Sequence, residues 1–116
     1  MFWHGSANDQ IISTTAYNDG SWHLVEHTYN AGTETLYIDG QVRGSQVFTE
    51  TGYSSAYSYF LGTGYWNYWN GVSGANWGYW KGALDEVRVS NTARSGDWIA
   101  TEYNNQSSPA TFYNVE

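Results

Sequence analysis

The sequence predicts an all-β domain, and three observations support this prediction. Aromatic residues make up 19% of the chain, and Gly occurs 13 times against a single Pro. Strands favour Tyr, Trp, Thr and Val, whereas tight turns favour Gly, Asn and Ser. Apolar and polar residues also alternate over several short segments, which is the period-2 pattern of a β-strand.

Length, charge and cysteine content narrow the class of protein. The chain has 116 residues and is predicted to form one domain over 1–116. Its net charge is −7 and its four Lys and Arg form no basic stripe, so nucleic acid is not an expected partner. No apolar run approaches the roughly 20 residues of a membrane-spanning helix, so membrane insertion is not expected. Because the chain has no Cys, disulfides and thiol chemistry are excluded.

The first half of the chain predicts a strand followed by a hairpin. Apolar residues fall on both alternating faces of SWHLVEHTYN (21–30), which predicts a strand that is at least partly covered on both sides. The next segment is predicted to form a strand, a tight turn and a second strand. Asp39-Gly40 supplies the two residues with positive φ that a two-residue type I′ turn requires, and strand-forming residues flank it.

The second half predicts a hairpin, a strand and a helix. YWNYWNG (65–71) and NWGYWKG (76–82) are predicted to be two arms joined through GVSGA, and GALDEVRVS (82–90) alternates as a further strand. Residues 96–104 are predicted to be helical, with Ser95 as the N-cap. The tail through Phe112, Tyr113 and Val115 predicts a last short strand.

Three segments, taken in order, resemble one family. DGSWHLVEHTYNAGTETLYIDGQVRG (19–44) looks like a pattern of an Asp-Gly-x-Trp-His strand followed by a Leu-Tyr-Ile-Asp-Gly hairpin. FLGTG (60–64) resembles the next strand of that pattern, and the segment from Trp80 to Tyr113 is similar to its closing strand and short helix. The chain thus resembles the laminin-G-like domains of the concanavalin A-like lectin/glucanase superfamily.

The resemblance implies a fold and a setting. The implied fold is a jelly-roll sandwich of two antiparallel sheets with one short C-terminal helix. The implied protein is secreted or on the surface of a prokaryotic cell and binds glycans or proteins without catalysis. Only 18 residues precede Asp19, where the family generally has several more strands. We therefore expect either a minimal sandwich or a shortened one that a neighbouring molecule completes.

No catalytic arrangement is recognised, so the protein is not expected to be an enzyme. Glucanases of the superfamily carry Glu-x-Asp-x-x-Glu on one strand, because cleavage needs two nearby carboxyl groups. That triplet does not occur, and adjacent Asp85 and Glu86 would point to opposite faces of a strand. His23 and His27 would lie about 13 Å apart in a strand, too far for one metal ion. We therefore expect His23 to be a structural residue and His27 to be a surface or sheet residue.

Calcium is the one cofactor that the resemblance implies, as a structural ion. Asp85, which matches the Asp of the family's closing strand, is the candidate ligand. The alternative is that this carboxylate only accepts hydrogen bonds from a loop.

The segment GYWNYWNGVSGANWGYWKG (64–82) holds four Trp and three Tyr. Three roles are open for these rings: core, ligand site, or interface between copies. Alternation places aromatic residues on both faces, so we assign one face, with Trp80, to the core and the other to a ligand or partner. The candidate binding residues are Tyr65, Trp66, Tyr68, Trp69, Asn70, Trp77 and Tyr79.

The sequence leads to two hypotheses about function. The first is a non-catalytic extracellular adhesion or binding module that recognises carbohydrate or protein through these aromatics. The alternative is a structural subunit that assembles with copies of itself into an oligomer, filament or surface layer, through sheet edges and aromatic patches.

Overall fold

The computed structural model describes residues 2–3, 10–47, 60–66 and 74–112. Over these residues the chain is mainly β, and every strand pair is antiparallel. The elements in chain order are β1 (Phe2–Trp3), β2 (Gln10–Ile11), β3 (Val25–Asn30), β4 (Thr33–Ile38), β5 (Gln41–Val47), β6 (Thr63–Trp66), β7 (Asn76–Tyr79), α1 (Gly96–Ser107) and α2 (Pro109–Phe112). Strand β1 pairs with β2, β6 pairs with β7, and β3, β4 and β5 form a meander.

Two tight turns set the register of the meander. Asp39 and Gly40 have φ of 55° and 73°, so the type I′ hairpin predicted between β4 and β5 is confirmed. Ala31 and Gly32 make a second two-residue turn between β3 and β4, with φ of 48° and 84°. The sequence analysis missed this turn, because a non-glycine residue such as Ala seldom adopts positive φ.

One face of the meander carries a small hydrophobic core. Glu34, Leu36 and Ile38 of β4 are buried and alternate with residues that are more exposed. Ile11 of β2 packs against Leu36 and Ile38. It also lies directly over Gly44 of β5, where a Cβ would come within 2.4 Å of the Ile11 Cγ2 methyl group. The missing side chain at Gly44 therefore creates the space that Ile11 occupies.

A buried carboxylate extends this core along β4. Glu34 is fully buried, and Gln46 Nε2 donates a hydrogen bond to its Oε2 at 3.3 Å. Its Oε1 lies 3.6 Å from Nε2 of His27 on β3. Such partners are needed, because burying an unpaired charge is costly. The interpretation of His27 as a sheet residue is confirmed, whereas the burial of Glu34 was not foreseen.

Helix α1 covers the opposite face of the meander. The Tyr37 side chain points to the face opposite that of Leu36. Its Cε1 atom lies 3.6 Å from the position that a Cβ would occupy at Gly96. A Cβ at Gly40 would lie 3.1 Å from the Ala100 Cα, so the β4–β5 turn is in close contact with the helix. Strand β4 is thus covered on both sides, by Ile11 on one face and by the helix on the other.

The predicted helix is confirmed, with a later end. The Ser95 hydroxyl accepts a hydrogen bond from the Trp98 backbone N–H at 3.2 Å, as expected of the N-cap. Ile99 is fully buried beneath the helix. The helix continues to Ser107 instead of ending near 104, because the Asn residues expected to stop it are tolerated in its exposed last turn.

Two predicted strands are wrong in the described part of the chain. Residues 82–90 form no strand, because Glu86 has φ of 54°, which interrupts an extended backbone. Leu84, Val87 and Val89 are exposed there. In the tail, Phe112 belongs to α2, so the chain has a second short helix where a strand was expected. Residues 113–116 lie outside the described residues.

We predict that Gly44→Ala destabilises the protein by about 1–3 kcal/mol. The added Cβ would meet a methyl group that is attached directly to the Ile11 Cβ and that cannot swing away. Chemical denaturation measures the free energy of unfolding. Gly64→Ala is the control, since a Cβ at that strand position has no atom within 4 Å. Equal stability of the two variants would contradict the packing described for Ile11.

Candidate binding surface on the aromatic hairpin

The pairing of β6 with β7 gives the aromatic hairpin two different faces. Thr63 lies opposite Tyr79 and Tyr65 opposite Trp77, so these four side chains share one face. Gly64 lies opposite Gly78 on the other face. The predicted hairpin and its alternation are confirmed for residues 63–66 and 76–79.

One face of the hairpin carries exposed rings, which we call the aromatic ridge: Phe60, Tyr65, Trp77 and Tyr79. The Trp77 ring contacts Phe60 and Tyr65 edge to face, with both centroid distances at 5.6 Å. All four side chains are between 43% and 74% exposed. Edge-to-face contacts hold the rings in fixed orientations while their outer surfaces remain accessible to a ligand or partner.

The other face forms a shallow depression of about 380 Å³, which we call the glycine groove. Gly62, Gly64 and Gly78 leave its floor without side chains, and Trp80 and Leu84 form a wall. Thr63 and Tyr79, whose side chains belong to the face of the ridge, also line its edge, so the two surfaces meet at this pair. The groove exists because three glycines place bare backbone beside one large ring.

The assignment of Trp80 to the core is wrong, because its side chain is 61% exposed. It is nevertheless held in place. The Trp80 backbone N–H donates to the Gly62 carbonyl at 2.7 Å, and the indole Nε1–H donates to the Ala83 carbonyl at 3.3 Å. No other element of the described chain packs over the ring, and residues 82–90 do not form the predicted strand.

The structure places only part of the predicted binding set. Tyr65, Trp77 and Tyr79 lie together on the aromatic ridge. Trp66 is the last residue of β6, and its backbone pairs with that of Asn76. The other three predicted residues lie outside the described residues: Tyr68, Trp69 and Asn70. The sequence analysis did not include Phe60, whose place on the ridge depends on its contact with Trp77.

The chemistry of ridge and groove suits binding. None of the described side chains that form them is ionisable near neutral pH. The Thr63 hydroxyl is already engaged, donating to the Gly78 carbonyl at 2.8 Å. The surface therefore offers apolar ring faces for stacking and no carboxylate or imidazole for proton transfer.

Asp85, the predicted calcium ligand, lies in the irregular segment after the hairpin. Its Oδ1 accepts a hydrogen bond from the Glu86 backbone N–H at 2.9 Å, which is the loop role held as the alternative. The described residues contain no group of three or more His, Asp or Glu side chains placed to share a metal ion. One exposed carboxylate does not meet the six to eight oxygens that calcium takes. Calcium binding at Asp85 stays a prediction.

An ion cluster attaches the same irregular segment to the helix. The Arg88 guanidinium donates to the carboxylates of Glu86 and Glu102, and these two carboxylates raise the pKa of Arg88. Burial raises the pKa of nearby Glu26, Glu102 raises it further, and Arg88 opposes both effects. The Arg88–Glu86 ion pair lies within the irregular segment, and Glu102 connects it to the helix. Glu102 was missed because its proximity depends on the path of the irregular segment.

A histidine clamp ties the start of β3 to the β4–β5 turn. Nδ1 of His23 lies 2.8 Å from Asp39 Oδ2, and Nε2 lies 3.1 Å from Asp19 Oδ1. Asp39 Oδ1 also accepts the Leu24 backbone N–H at 3.2 Å. The hydrogen bonds that the carboxylates of Asp39 and, second, Asp19 accept from the His23 ring raise the pKa of His23. The pKa of Asp19 is lowered, first by the Ser21 backbone N–H and then by His23. His23 is therefore structural, as the sequence analysis expected.

Comparison with known proteins identifies the family. A family model described as the concanavalin A-like lectin/glucanases superfamily, of the laminin-G type, matches residues 1–100. The chain belongs to this superfamily. The resemblance found in the sequence is thereby confirmed.

A solved structure is also similar to the chain. It is an S-layer domain-containing protein from Clostridium thermocellum, residues 221–444, with 26% sequence identity and a TM-score of 0.63. The match covers 78% of this chain and 43% of that structure, so the chain spans less than half of its length. No match was found among curated proteins. Among the described residues, no helix is long and apolar enough to cross a membrane.

We predict that the histidine clamp gives this laminin-G-like chain a pH-dependent stability. Because the folded pKa of His23 lies above its ordinary value of 6.5, its contribution is complete below pH 6.5 and is lost as pH rises through the folded pKa. Because the folded pKa of Asp19 lies below 3.8, its contribution is present above pH 3.8 and is lost as pH falls through the folded pKa.

Urea denaturation of the original protein and of His23→Gln, from about pH 5 to about pH 9, measures the effect. The stability difference between them should shrink as the pH rises. A difference that stays constant over this range would contradict the clamp.

Proposed function

We propose that the protein is a non-catalytic extracellular binding or adhesion module that engages carbohydrate or protein through the aromatic ridge. The observation that carries this proposal is the exposure of the four rings of the aromatic ridge, three of which are joined by edge-to-face contacts through Trp77. Exposed aromatic clusters of this kind mark interaction sites, because leaving such area in water is costly.

The ridge suits two kinds of ligand. The apolar C–H faces of a sugar stack on Trp and Tyr rings, and a protein partner would use the same rings as anchors with little loss of side-chain freedom. Edge-to-face contacts already hold Trp77, so binding would cost little further ordering. The absence of charge on the ridge favours a neutral ligand surface.

Two observations support a non-catalytic role. Laminin-G-like domains and the S-layer relative are of kinds that typically lack catalysis. In this chain, the carboxylate of Asp85 is bound to a backbone N–H and that of Glu86 to Arg88. We also propose that the domain folds as a jelly-roll sandwich and that the protein is located outside the cell.

Self-assembly is the second candidate function. The S-layer domain-containing relative favours it, as does Val47 at the end of β5, which is 86% exposed. An exposed apolar strand edge is a template for pairing with another copy.

Calcium binding at Asp85 is proposed as a minor part of this function. If calcium binds there, added CaCl₂ should raise the melting temperature of the original protein and leave that of Asp85→Asn unchanged. Glu116→Gln, a charge-matched change at the other end of the chain, is the control. An unchanged melting temperature of the original protein would rule out a stabilising calcium site.

We predict that Trp77→Ala weakens glycan or protein binding at least tenfold, because hot-spot rings contribute about 1.4 kcal/mol or more each. Glycan arrays and pull-downs would identify the ligand, and isothermal titration would give the Kd. Trp22→Ala is the matched control: Trp22 is 70% exposed but lies before β3, away from the ridge. If both variants bind as well as the original protein, the ridge is not the binding surface.

A further inference from the structure

The two faces of the aromatic hairpin have complementary shapes. One face projects the aromatic ridge, and the other recedes into the glycine groove. We infer that the ridge of one copy docks into the glycine groove of the next, so that copies associate head to tail. This inference rests on self-assembly, the second candidate function, and specifies which surfaces would meet.

The polar groups of the groove indicate an apolar occupant. The Thr63 hydroxyl donates to the Gly78 carbonyl and the Trp80 indole N–H donates to the Ala83 carbonyl, so two of the three side-chain donors that line the groove, all but the Tyr79 hydroxyl, are already used. A sugar would need hydrogen-bond partners for its hydroxyl groups. An aromatic ring needs only the bare Gly64–Gly78 backbone and the side of Trp80 to pack against.

The charge distribution permits contact between copies at this place. Neither the ridge nor the groove includes a charged side chain among the described residues. The 11 Asp and Glu that give the chain its charge of −7 lie elsewhere in the sequence. The negative charges of two copies therefore repel each other over longer distances, where dissolved salt screens them. Raising the ionic strength should weaken this repulsion and strengthen the association.

The available area indicates a weak and reversible contact. Four rings that are about half exposed offer roughly 400 Å², taking roughly 200 Å² for each ring. A stable complex usually buries about 800 Å² on each partner. One contact would thus hold only at high protein concentration, and each copy would make two contacts, one through each face.

The geometry also determines the kind of assembly. Ridge and groove lie on opposite faces of one hairpin, so the contact joins unlike surfaces and leaves a free ridge at one end and a free groove at the other. Contacts between unlike surfaces close into a ring or extend as a filament, whereas a two-fold dimer joins like surfaces. The expected product is a concentration-dependent series of oligomers.

Sedimentation velocity over a wide range of protein concentrations tests the inference. Gly64→Val fills the groove without strain, because a Cβ there has no atom within 4 Å and the φ of Gly64 is not in the left-handed region. Trp77→Ala and Tyr79→Ser reduce the ridge. Ala75→Val is the control, an added side chain on an exposed residue beside the hairpin. Groove and ridge variants should lose all species larger than the monomer, and the control should keep them.

Mixing the variants tests the head-to-tail arrangement itself. Gly64→Val keeps its ridge and Trp77→Ala keeps its groove, so an equimolar mixture should form one-to-one pairs that grow no further. Tyr65→Ser, which reduces the ridge at a residue that does not line the groove, can replace Trp77→Ala if the latter loses its near-UV circular dichroism. If the mixture associates no more than the separate variants, head-to-tail docking is overturned.

The outcomes separate the inference from the function on which it rests. An original protein that stays monomeric at every concentration and salt level would overturn both self-assembly and the docking. Assembly of Gly64→Val that equals that of the original protein would overturn the docking alone and leave assembly through sheet edges in place.

Discussion

The turn at Asp39 and Gly40 is the constraint on which the rest of the described structure depends. Positive φ at both residues sets the register of β4 against β5. The Asp39 carboxylate holds the start of β3 through the Leu24 N–H and the His23 ring. The missing side chain of Gly40 lets helix α1 approach the turn. One dipeptide therefore positions three strands and the helix.

The core that this turn organises is small. Its size explains why large aromatic rings remain on the surface of the protein. Ile11, Leu36 and Ile38 fill one face of the meander, and Ile99 lies under the helix. None of these positions holds a Trp or a Tyr. The rings of the aromatic hairpin remain exposed, where they favour contact with a sugar, a protein or another copy. The proposed function thus follows from how little aromatic area the core can accept.

The sequence predicted the features that depend on neighbouring residues. It did not predict how residues far apart in the chain are placed relative to one another. The Asp39-Gly40 hairpin, the Ser95 cap and the paired arms of the aromatic hairpin were predicted, since each depends on residues close in sequence. The strand over 82–90 was wrong, because alternation cannot reveal the positive φ of Glu86. Trp80 was assigned to the core as part of one face of the hairpin, and alternation alone could not show that its ring would stay exposed.

The central claim is that the aromatic ridge is an interaction surface rather than part of a core. Hydroxyl-radical footprinting with mass spectrometry tests it most directly, because the oxidation rate of a ring reports its access to solvent. The account predicts that Tyr65, Trp77 and Tyr79 are oxidised rapidly in dilute protein and are protected once a ligand or another copy binds. Slow oxidation of all three rings in the dilute monomer would contradict it.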